Sequence, residues 1–159
     1  MLGKRRFSLT DIDAGDKILL LREKKFVEGD MTMKTILNTD KAPKAIGPYS
    51  QGINTGNLMF LSGQLPILPS EGKIVAQDIE GQTKQSLENV KSILESAGCT
   101  MDNVVKTTVF LKNIADFGKM NEVYKGFFSE GNYPARSAFQ VAALPQDALV
   151  EIEVVALKD

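Results

Sequence analysis

The stretch Leu149-Val150-Glu151-Ile152-Glu153-Val154-Val155-Ala156-Leu157 predicts a β-strand with one apolar face. Side chains in a strand alternate between the two faces of the sheet. The two glutamates therefore point one way, and the opposite face is formed by Val150, Ile152, Val154 and Ala156. We expect the apolar face to pack on the core and the two carboxylates to lie on the other side of the sheet.

A second strand is predicted just before it, in Tyr133-Pro134-Ala135-Arg136-Ser137-Ala138-Phe139-Gln140-Val141-Ala142. Alternation places Ser137, Phe139 and Val141 on one face, and Arg136 on the other with Ala138 and Gln140. If the apolar faces of both strands pack on one core, Arg136 and Glu151 emerge on the same side of the sheet. That side would then hold a guanidinium, which can anchor an anion, and a carboxylate, which can act as a base.

Working outward, the sequence predicts two helices. Asp78 can cap the first helix, which runs to about Ala97 and ends at Gly98. Asn113, with Asp116 three residues later, resembles a capping pair at the start of the second helix, which runs to about Ser129. The residues that we expect this second helix to bury are Phe117, Met120, Val123, Tyr124, Phe127 and Phe128.

Four further strands are predicted, at Lys34–Asn38, Ser50–Asn54, Leu58–Gln64 and Val104–Lys112, with a loop at Pro66–Lys73. In the fourth, one face is expected to carry Val105, Thr107, Val109 and Leu111. The element order is therefore β-β-β-α-β-α-β-β, with Ala143–Ala148 joining the last two strands. This order predicts an α+β sandwich whose helices pack on one face of the sheet.

Such a sheet leaves its other face uncovered. If Ser62 and Arg136 share that face, it also carries the apolar residues Leu58, Phe60, Val104, Phe110, Val155 and Leu157. This is more exposed apolar surface than a stable monomer tolerates, so we expect self-association through it. A site on this face would then lie at a subunit boundary.

The composition is that of an ordinary globular chain of 159 residues, with a formal net charge of −1. That charge argues against a nucleic-acid partner, and no apolar run approaches the roughly 20 residues that span a bilayer. The chain has no histidine and one cysteine, Cys99, which suits a reducing cytoplasm. Zinc chemistry and Ser-His-Asp catalysis are therefore not expected, and base catalysis would need carboxylates, Lys, Tyr or water.

Residues 1–32 differ from the rest of the chain. They mix basic and acidic residues, and the apolar run from Ile18 to Leu21 is too short for a signal-peptide core of about 7–15 residues. We interpret 1–32 as an N-terminal extension, non-native or peripheral, and 33–159 as the compact domain.

Four motifs from about Lys34 to Lys158 closely resemble the RidA/YjgF/UK114 family. They are Ala45-Ile46-Gly47-Pro48-Tyr49-Ser50-Gln51-Gly52, Phe60-Leu61-Ser62-Gly63-Gln64-Leu65-Pro66, Tyr133-Pro134-Ala135-Arg136-Ser137 and Val150-Glu151-Ile152-Glu153. The resemblance implies a chorismate-mutase-like fold of the bacillus type, with two helices on one face of a mixed sheet and a homotrimer around the other. It also implies small-molecule sites in the clefts between subunits, and no cofactor or metal.

The resemblance further implies hydrolysis of the reactive intermediates 2-aminoacrylate and 2-aminocrotonate to 2-keto acids and ammonia. This is the activity of a 2-iminobutanoate/2-iminopropanoate deaminase, acting after a pyridoxal-phosphate dehydratase. Arg136 is expected to bind the substrate carboxylate, for which its planar fork is suited, and Glu151 to position the attacking water. Glu153 is expected to be structural or interfacial.

The resemblance assigns pocket-lining roles to Tyr49, Ser62, Gly63, Asn121 and Ala138. Without the resemblance, we would interpret Tyr49 as a packed aromatic residue and Asn121 as a solvated helix residue. Ala138 is a departure, because many family members carry a cysteine two residues after the motif arginine. The chain therefore lacks that thiol.

Two other functions stay open at this level. One is a regulatory protein that binds 2-keto acids without turnover. The other is the ribonuclease or translation-inhibitor role attached to some relatives, against which the near-neutral charge and the absence of histidine both weigh.

Overall fold

A computed structural model of the protein describes residues 34–158. The architecture is α+β, as predicted, with a six-stranded mixed sheet, a separate two-stranded hairpin and two helices. The strands are β1 (Thr35–Leu37), β2 (Gly52–Asn54), β3 (Leu58–Gln64), β4 (Ile67–Leu68), β5 (Lys73–Ile74), β6 (Val104–Leu111), β7 (Ala135–Gln140) and β8 (Val150–Leu157). The predicted extension at 1–32 lies outside the described residues.

The strand order in the large sheet is β1-β2-β3-β8-β6-β7. The strand β8 lies between β3 and β6 and is antiparallel to both, whereas β7 pairs with β6 in parallel at the edge. Although β7 and β8 are consecutive in the chain, they are not neighbours in the sheet, because β6 separates them. The parallel pairing makes the sheet mixed.

The helix α1 (Ile79–Ser96) begins and ends close to the predicted residues. Asp78 caps it by accepting a hydrogen bond from the Gly81 backbone N–H at 2.7 Å. Gly98 follows with φ of +79°, a left-handed conformation that favours glycine after a helix. The helix packs most extensively against β8, β3 and the second helix, so its apolar stripe forms the core over the middle of the sheet.

The helix α2 (Phe117–Lys125) is shorter than predicted. A 3₁₀ turn at Ile114–Asp116 precedes it, and Asn113 caps that turn by accepting from the Ala115 backbone N–H at 3.0 Å. Met120 and Tyr124 are buried, but Phe117 is 37% exposed, so its predicted burial is wrong. The helix stops before Gly126, and Phe128 reaches the core from beyond its end.

The strand β6 contains an irregularity that sequence alternation cannot reveal. The pairing with β8 shifts between Val104 and Lys106, so that an extra residue is accommodated there. Val104 is consequently buried and Val105 is 37% exposed. Both residues were predicted on the wrong faces. From Thr107 onward the predicted alternation is confirmed.

The segment 66–73, predicted to be a loop, forms most of the small hairpin of β4 and β5, which ends at Ile74. Its strands have two residues each, too few for an alternation pattern to be visible in the sequence.

Both helices cover one face of the large sheet, and the opposite face is here called the open face. Pairing across the strands shows that the open face carries Phe60 and Val155 on neighbouring strands, and Phe110 and Phe139 on another pair. Phe110 and Phe139 form a T-shaped aromatic pair with centroids 5.5 Å apart. Phe60 and Leu157 are each more than 40% exposed, as expected of the predicted apolar surface, and Phe139, which was predicted on the core face, adds to it. No helix within residues 34–158 is long and apolar enough to cross a membrane.

Candidate functional site

Arg136 lies on the helix-covered face of β7. Its position pairs with Thr107, which is fully buried, and Thr107 Oγ1 lies 2.8 Å from the Tyr124 hydroxyl on α2. The Arg136 guanidinium carbon lies over the Tyr124 ring, 4.5 Å from its centroid, and 5.3 Å from the centroid of Phe117. Arg136 is therefore enclosed by two aromatic rings between the sheet edge and α2.

The guanidinium opens into a cleft of about 360 Å³. The cleft is lined by Asn121, Tyr124, Lys125, Tyr133, Pro134 and Arg136. Within the described part of the chain, no carboxylate forms an ion pair with Arg136. A permanent cation with a planar fork, left without a protein counter-ion at a cleft, is suited to a bound carboxylate or another anion.

Glu151 lies on the open face of β8, where it pairs with Phe110 of β6. The expectation that Arg136 and Glu151 share one side of the sheet is therefore wrong. On β7 the face with Phe139 is the open face, and the arginine takes the helix-covered one. Alternation gave the correct set of residues on each face of β7, but the wrong face was assigned to the core.

The backbone of β3 approaches the Glu151 carboxylate at Gly63. The pairing of β3 with β8 is irregular between Leu61 and Gln64, which is the mark of a β-bulge. A Cβ atom added at Gly63 would lie 2.8 Å from Glu151 Cδ and would overlap the carboxylate oxygen Oε1. Glycine is required here because of this close approach, and the resemblance placed these two residues in one site.

The pKa of Glu151 is raised above its ordinary value, first by burial and second by the negative charge of Glu153 on the same face. A raised pKa makes the ionised carboxylate a stronger base than a solvated glutamate. The side chain is still partly exposed, so water can reach it.

Two buried amides of α1 hold the segments that carry Gly63 and Glu151. Asn89 donates to the carbonyls of Leu65 and Ile67, each at 3.0 Å, just beyond β3. Gln82 Oε1 accepts from the Leu149 backbone N–H at 2.7 Å, just before β8. The helix thereby fixes the ends of both strands at the point where they meet.

Tyr49 follows a tight turn in which its backbone N–H donates to the Gly47 carbonyl at 2.8 Å. Its side chain is 52% exposed and lines a small cleft of about 40 Å³ together with Gly63. The expectation that Tyr49 and Gly63 lie at one cleft is consistent with this placement. The segment before Tyr49 is anchored by Gln51, whose amide bonds the backbone of Thr39, Ala42 and Pro43.

Ser62 and Ala138 are placed differently from one another. Ser62 Oγ donates to the Ser50 carbonyl at 2.7 Å, so its hydroxyl ties the Tyr49 segment to β3. Ala138 pairs with Val109 on the helix-covered face and packs against the core next to the Arg136 side of the sheet.

The site residues therefore form two groups in one protomer. The arginine group, Arg136 with Asn121, belongs to β7 and α2, and the glutamate group comprises Glu151, Gly63, Ser62 and Tyr49. Arg136 on β7 and Glu151 on β8 are two strand spacings apart, about 10 Å at roughly 4.8 Å each, and they lie on opposite faces of the sheet. One small ligand cannot contact both groups of the same protomer.

The sequence reasoning missed the contact of Phe117 and Tyr124 with Arg136. Both rings were assigned to the core because they are seven residues apart on one helical stripe. Only the placement of α2 beside the edge strand reveals that this stripe also reaches the guanidinium. Among residues 34–158, no group of three or more acidic or cysteine side chains could hold a metal ion.

The fold is an α+β domain with helices on one face of a mixed sheet, and sequence comparison assigns it to a family. The family model described as Endoribonuclease L-PSP matches residues 39–158. The chain therefore belongs to the endoribonuclease L-PSP family, and its resemblance to the RidA/YjgF/UK114 proteins is confirmed.

The matches to individual relatives extend over nearly the whole length of each relative. A RutC family protein of Pyrococcus horikoshii is 54% identical over 127 residues, which are 80% of this chain and 100% of the relative. TdcF of Escherichia coli, whose name describes a candidate reactive intermediate deaminase, is 48% identical over 79% of this chain and 98% of its own.

Solved structures agree with the fold. A Rid family protein of Yersinia pestis superimposes with a TM-score of 0.77 at 47% identity, over 79% of this chain and 100% of that one. The structure of E. coli TdcF with bound serine gives a TM-score of 0.75 at 47% identity, over 79% of this chain and 99% of that one.

Proposed function

We propose that the protein hydrolyses 2-imino acids, derived from 2-aminoacrylate and 2-aminocrotonate, to 2-keto acids and ammonia. The observation that carries the proposal is an arginine at a cleft, without a carboxylate partner in the described part of the chain. The similarity to TdcF supports it, and so does the serine bound to TdcF, since serine carries an α-carboxylate.

The proposed site is composite. Because the arginine group and the glutamate group lie too far apart in one protomer, we propose that they meet across a boundary between two copies. The open face provides the apolar surface for that assembly, and a homotrimer would repeat the boundary three times.

In this site Arg136 holds the substrate carboxylate through two parallel N–H donors. Asn121 lines the same cleft. The neighbouring copy supplies Glu151 with Gly63 beside it, while its Tyr49 lines a cleft with Gly63 and its Ser62 ties the Tyr49 segment to β3. Ala138 supports β7 below the arginine, and no thiol is needed because water is the nucleophile.

The reaction begins when the enamine tautomerises to the imine. Glu151 accepts a proton from a water molecule as the water oxygen bonds to the imine carbon, and the imine nitrogen takes up a proton from solvent to give a carbinolamine. Protonated Glu151 then returns its proton to the amino nitrogen, the hydroxyl gives its proton to solvent as the C=O bond forms, and the C–N bond breaks to release ammonia. Imine hydrolysis has a low barrier in water, so orientation and charge stabilisation suffice without a metal. The substrate would come from a pyridoxal-phosphate dehydratase acting on serine or threonine.

The test is a coupled assay in which such a dehydratase generates the imine and keto-acid release is followed. Wild-type protein should accelerate release, and Arg136→Lys should lose at least about tenfold, because lysine keeps the charge but not the fork. Lys112→Arg, a conservative change at an exposed residue that pairs with Asp147 outside both groups, is the control. Full activity in Arg136→Lys would falsify the carboxylate-anchor role.

A further inference from the structure

Arg136 is held by aromatic rings rather than by acidic side chains. Its guanidinium carbon lies 4.5 Å from the Tyr124 centroid and 5.3 Å from the Phe117 centroid, both within the range of a cation–π interaction. An ion pair would occupy the N–H donors that a ligand needs. Ring faces attract the cation and leave those donors free.

Tyr124 is the fixed member of this pair. It is 3% exposed, its hydroxyl is hydrogen-bonded to Thr107 at 2.8 Å, and its ring packs on Phe128 with centroids 4.7 Å apart. Thr107 in turn pairs directly with Arg136 across β6 and β7. The Tyr124 ring and the Arg136 backbone are therefore both positioned by Thr107 on β6.

Phe117 is the open member, because it is 37% exposed at the first position of α2. Its ring contacts the guanidinium from the end of the helix, and solvent reaches the other side of the ring. The cation consequently has one ring locked into the core and one ring that is partly exposed to solvent.

We infer that Tyr124 and Phe117 are positioning residues that orient the Arg136 fork, and that they give the site its selectivity for carboxylates. They act through Arg136 and not on the reacting carbon. This inference rests on the proposed function only for the identity of the ligand, since the two ring contacts are present in the protein itself.

The inference predicts a specific pattern of binding. A carboxylate depends on the direction of the fork, because it accepts two parallel hydrogen bonds from it. A neutral primary amide in place of the carboxylate offers one acceptor and does not. Loss of a ring should therefore weaken binding of the acid more than binding of the amide.

The experiment measures the Kd of 2-ketobutyrate and of 2-oxobutanamide by calorimetry for the wild type and four variants. Tyr124→Phe keeps the ring and removes only the hydroxyl, so its Kd should stay within about threefold of wild type. Tyr124→Leu and Phe117→Leu remove a ring, and should weaken acid binding about fivefold to thirtyfold, the equivalent of the roughly 1–2 kcal/mol of a desolvated cation–π contact. Phe127→Leu, a ring removed from outside the cleft, should leave both constants unchanged.

In the imine assay the same two ring-removal variants should raise KM by a similar factor, with kcat near wild type. Phe117→Leu keeps the test decisive if Tyr124→Leu does not fold, because Phe117 is the more exposed ring. Equal losses for acid and amide, or no loss in either variant, would overturn the inference. A wild type that binds 2-ketobutyrate without accelerating imine loss would remove the proposed function and leave the ring effect measurable. A wild type that binds no carboxylate would overturn both.

Discussion

Gly63 and Glu151 share a space that has room for one side chain. A methyl group at Gly63 would lie 2.8 Å from Glu151 Cδ, well inside van der Waals contact. The Glu151 carboxylate can lie against β3 only because Gly63 has no side chain. The position of a charged group on β8 is thus set by the absence of an atom on β3.

Replacing Gly63 by alanine should displace the Glu151 carboxylate and reduce imine hydrolysis at least about tenfold, since misplacement by about 1 Å costs catalysis heavily. The proposed oligomer should persist, because the apolar residues of the open face are unchanged. The control is Gly118→Ala, where an added Cβ meets nothing within 4 Å. Equal activity of the two variants would show that the carboxylate position is not critical.

The raised pKa of Glu151 gives a signed prediction. The folded state holds this proton more tightly than the unfolded state, so ionisation opposes folding. The contribution of this group to stability is present below the ordinary glutamate pKa of about 4.3 and is lost as pH rises through the folded-state pKa. Glu151→Gln lacks this loss. Its free energy of unfolding should therefore increase relative to that of wild type as pH rises from about 4 to about 7.

Denaturant titrations at both ends of that range, at fixed protein concentration, measure the difference. Parallel pH profiles of the two proteins would contradict it. Glu153→Gln removes the second cause of the raised Glu151 pKa. The pH midpoint of its activity profile should therefore lie below that of wild type.

Gln51 should be a large single contributor to the stability of the Tyr49 segment. Its buried amide accepts from the Thr39 N–H at 2.7 Å and donates to three backbone carbonyls. Gln51→Met keeps the length but leaves these groups unpaired, which should lower the free energy of unfolding by about 1–3 kcal/mol. Gln77→Met is the matched control, because that amide bonds only the exposed Val75 carbonyl. Urea titrations that give equal midpoints for both variants would refute the role.

The composite site predicts complementation between inactive variants. Arg136→Lys retains Glu151, and Glu151→Gln retains Arg136, so a boundary with the correct order of the two has one intact site. In a trimer that contains both variants, one of the three boundaries has that order, so mixed trimers should restore about one third of wild-type activity.

Co-refolding of differently tagged variants, purified through both tags, provides the mixed oligomers. Simple mixing without exchange is the control. Mixed oligomers that are no more active than the separate variants would place the arginine and the glutamate of each working site in the same protomer.

The sequence predicts best where local chemistry decides the structure. Asp78 and Gly98 mark the limits of α1 because capping is a property of a few adjacent residues. The alternation in β8 correctly separates its buried residues from Glu151 and Glu153. These signals do not depend on what lies beside the strand.

The errors arise where distant segments meet. Val105 is displaced by a bulge that exists only in the pairing of β6 with β8. Arg136 was assigned to the wrong face because Phe139 marks the apolar face of β7, and that face stacks on Phe110 of the open face rather than on the core. An edge strand with apolar groups on both sides cannot be oriented without knowing its neighbours.

The position of β8 has a consequence for how the protein is made. This strand fills the gap between β3 and β6, and it follows them in the chain by about 90 and 40 residues. During synthesis β3 and β6 therefore present unpaired edges to the cell until β8 emerges, which is a period of exposure to edge-to-edge aggregation. Nascent chains stalled or cleaved before Val150 should depend on chaperones, whereas the full chain completes its sheet in a single late step.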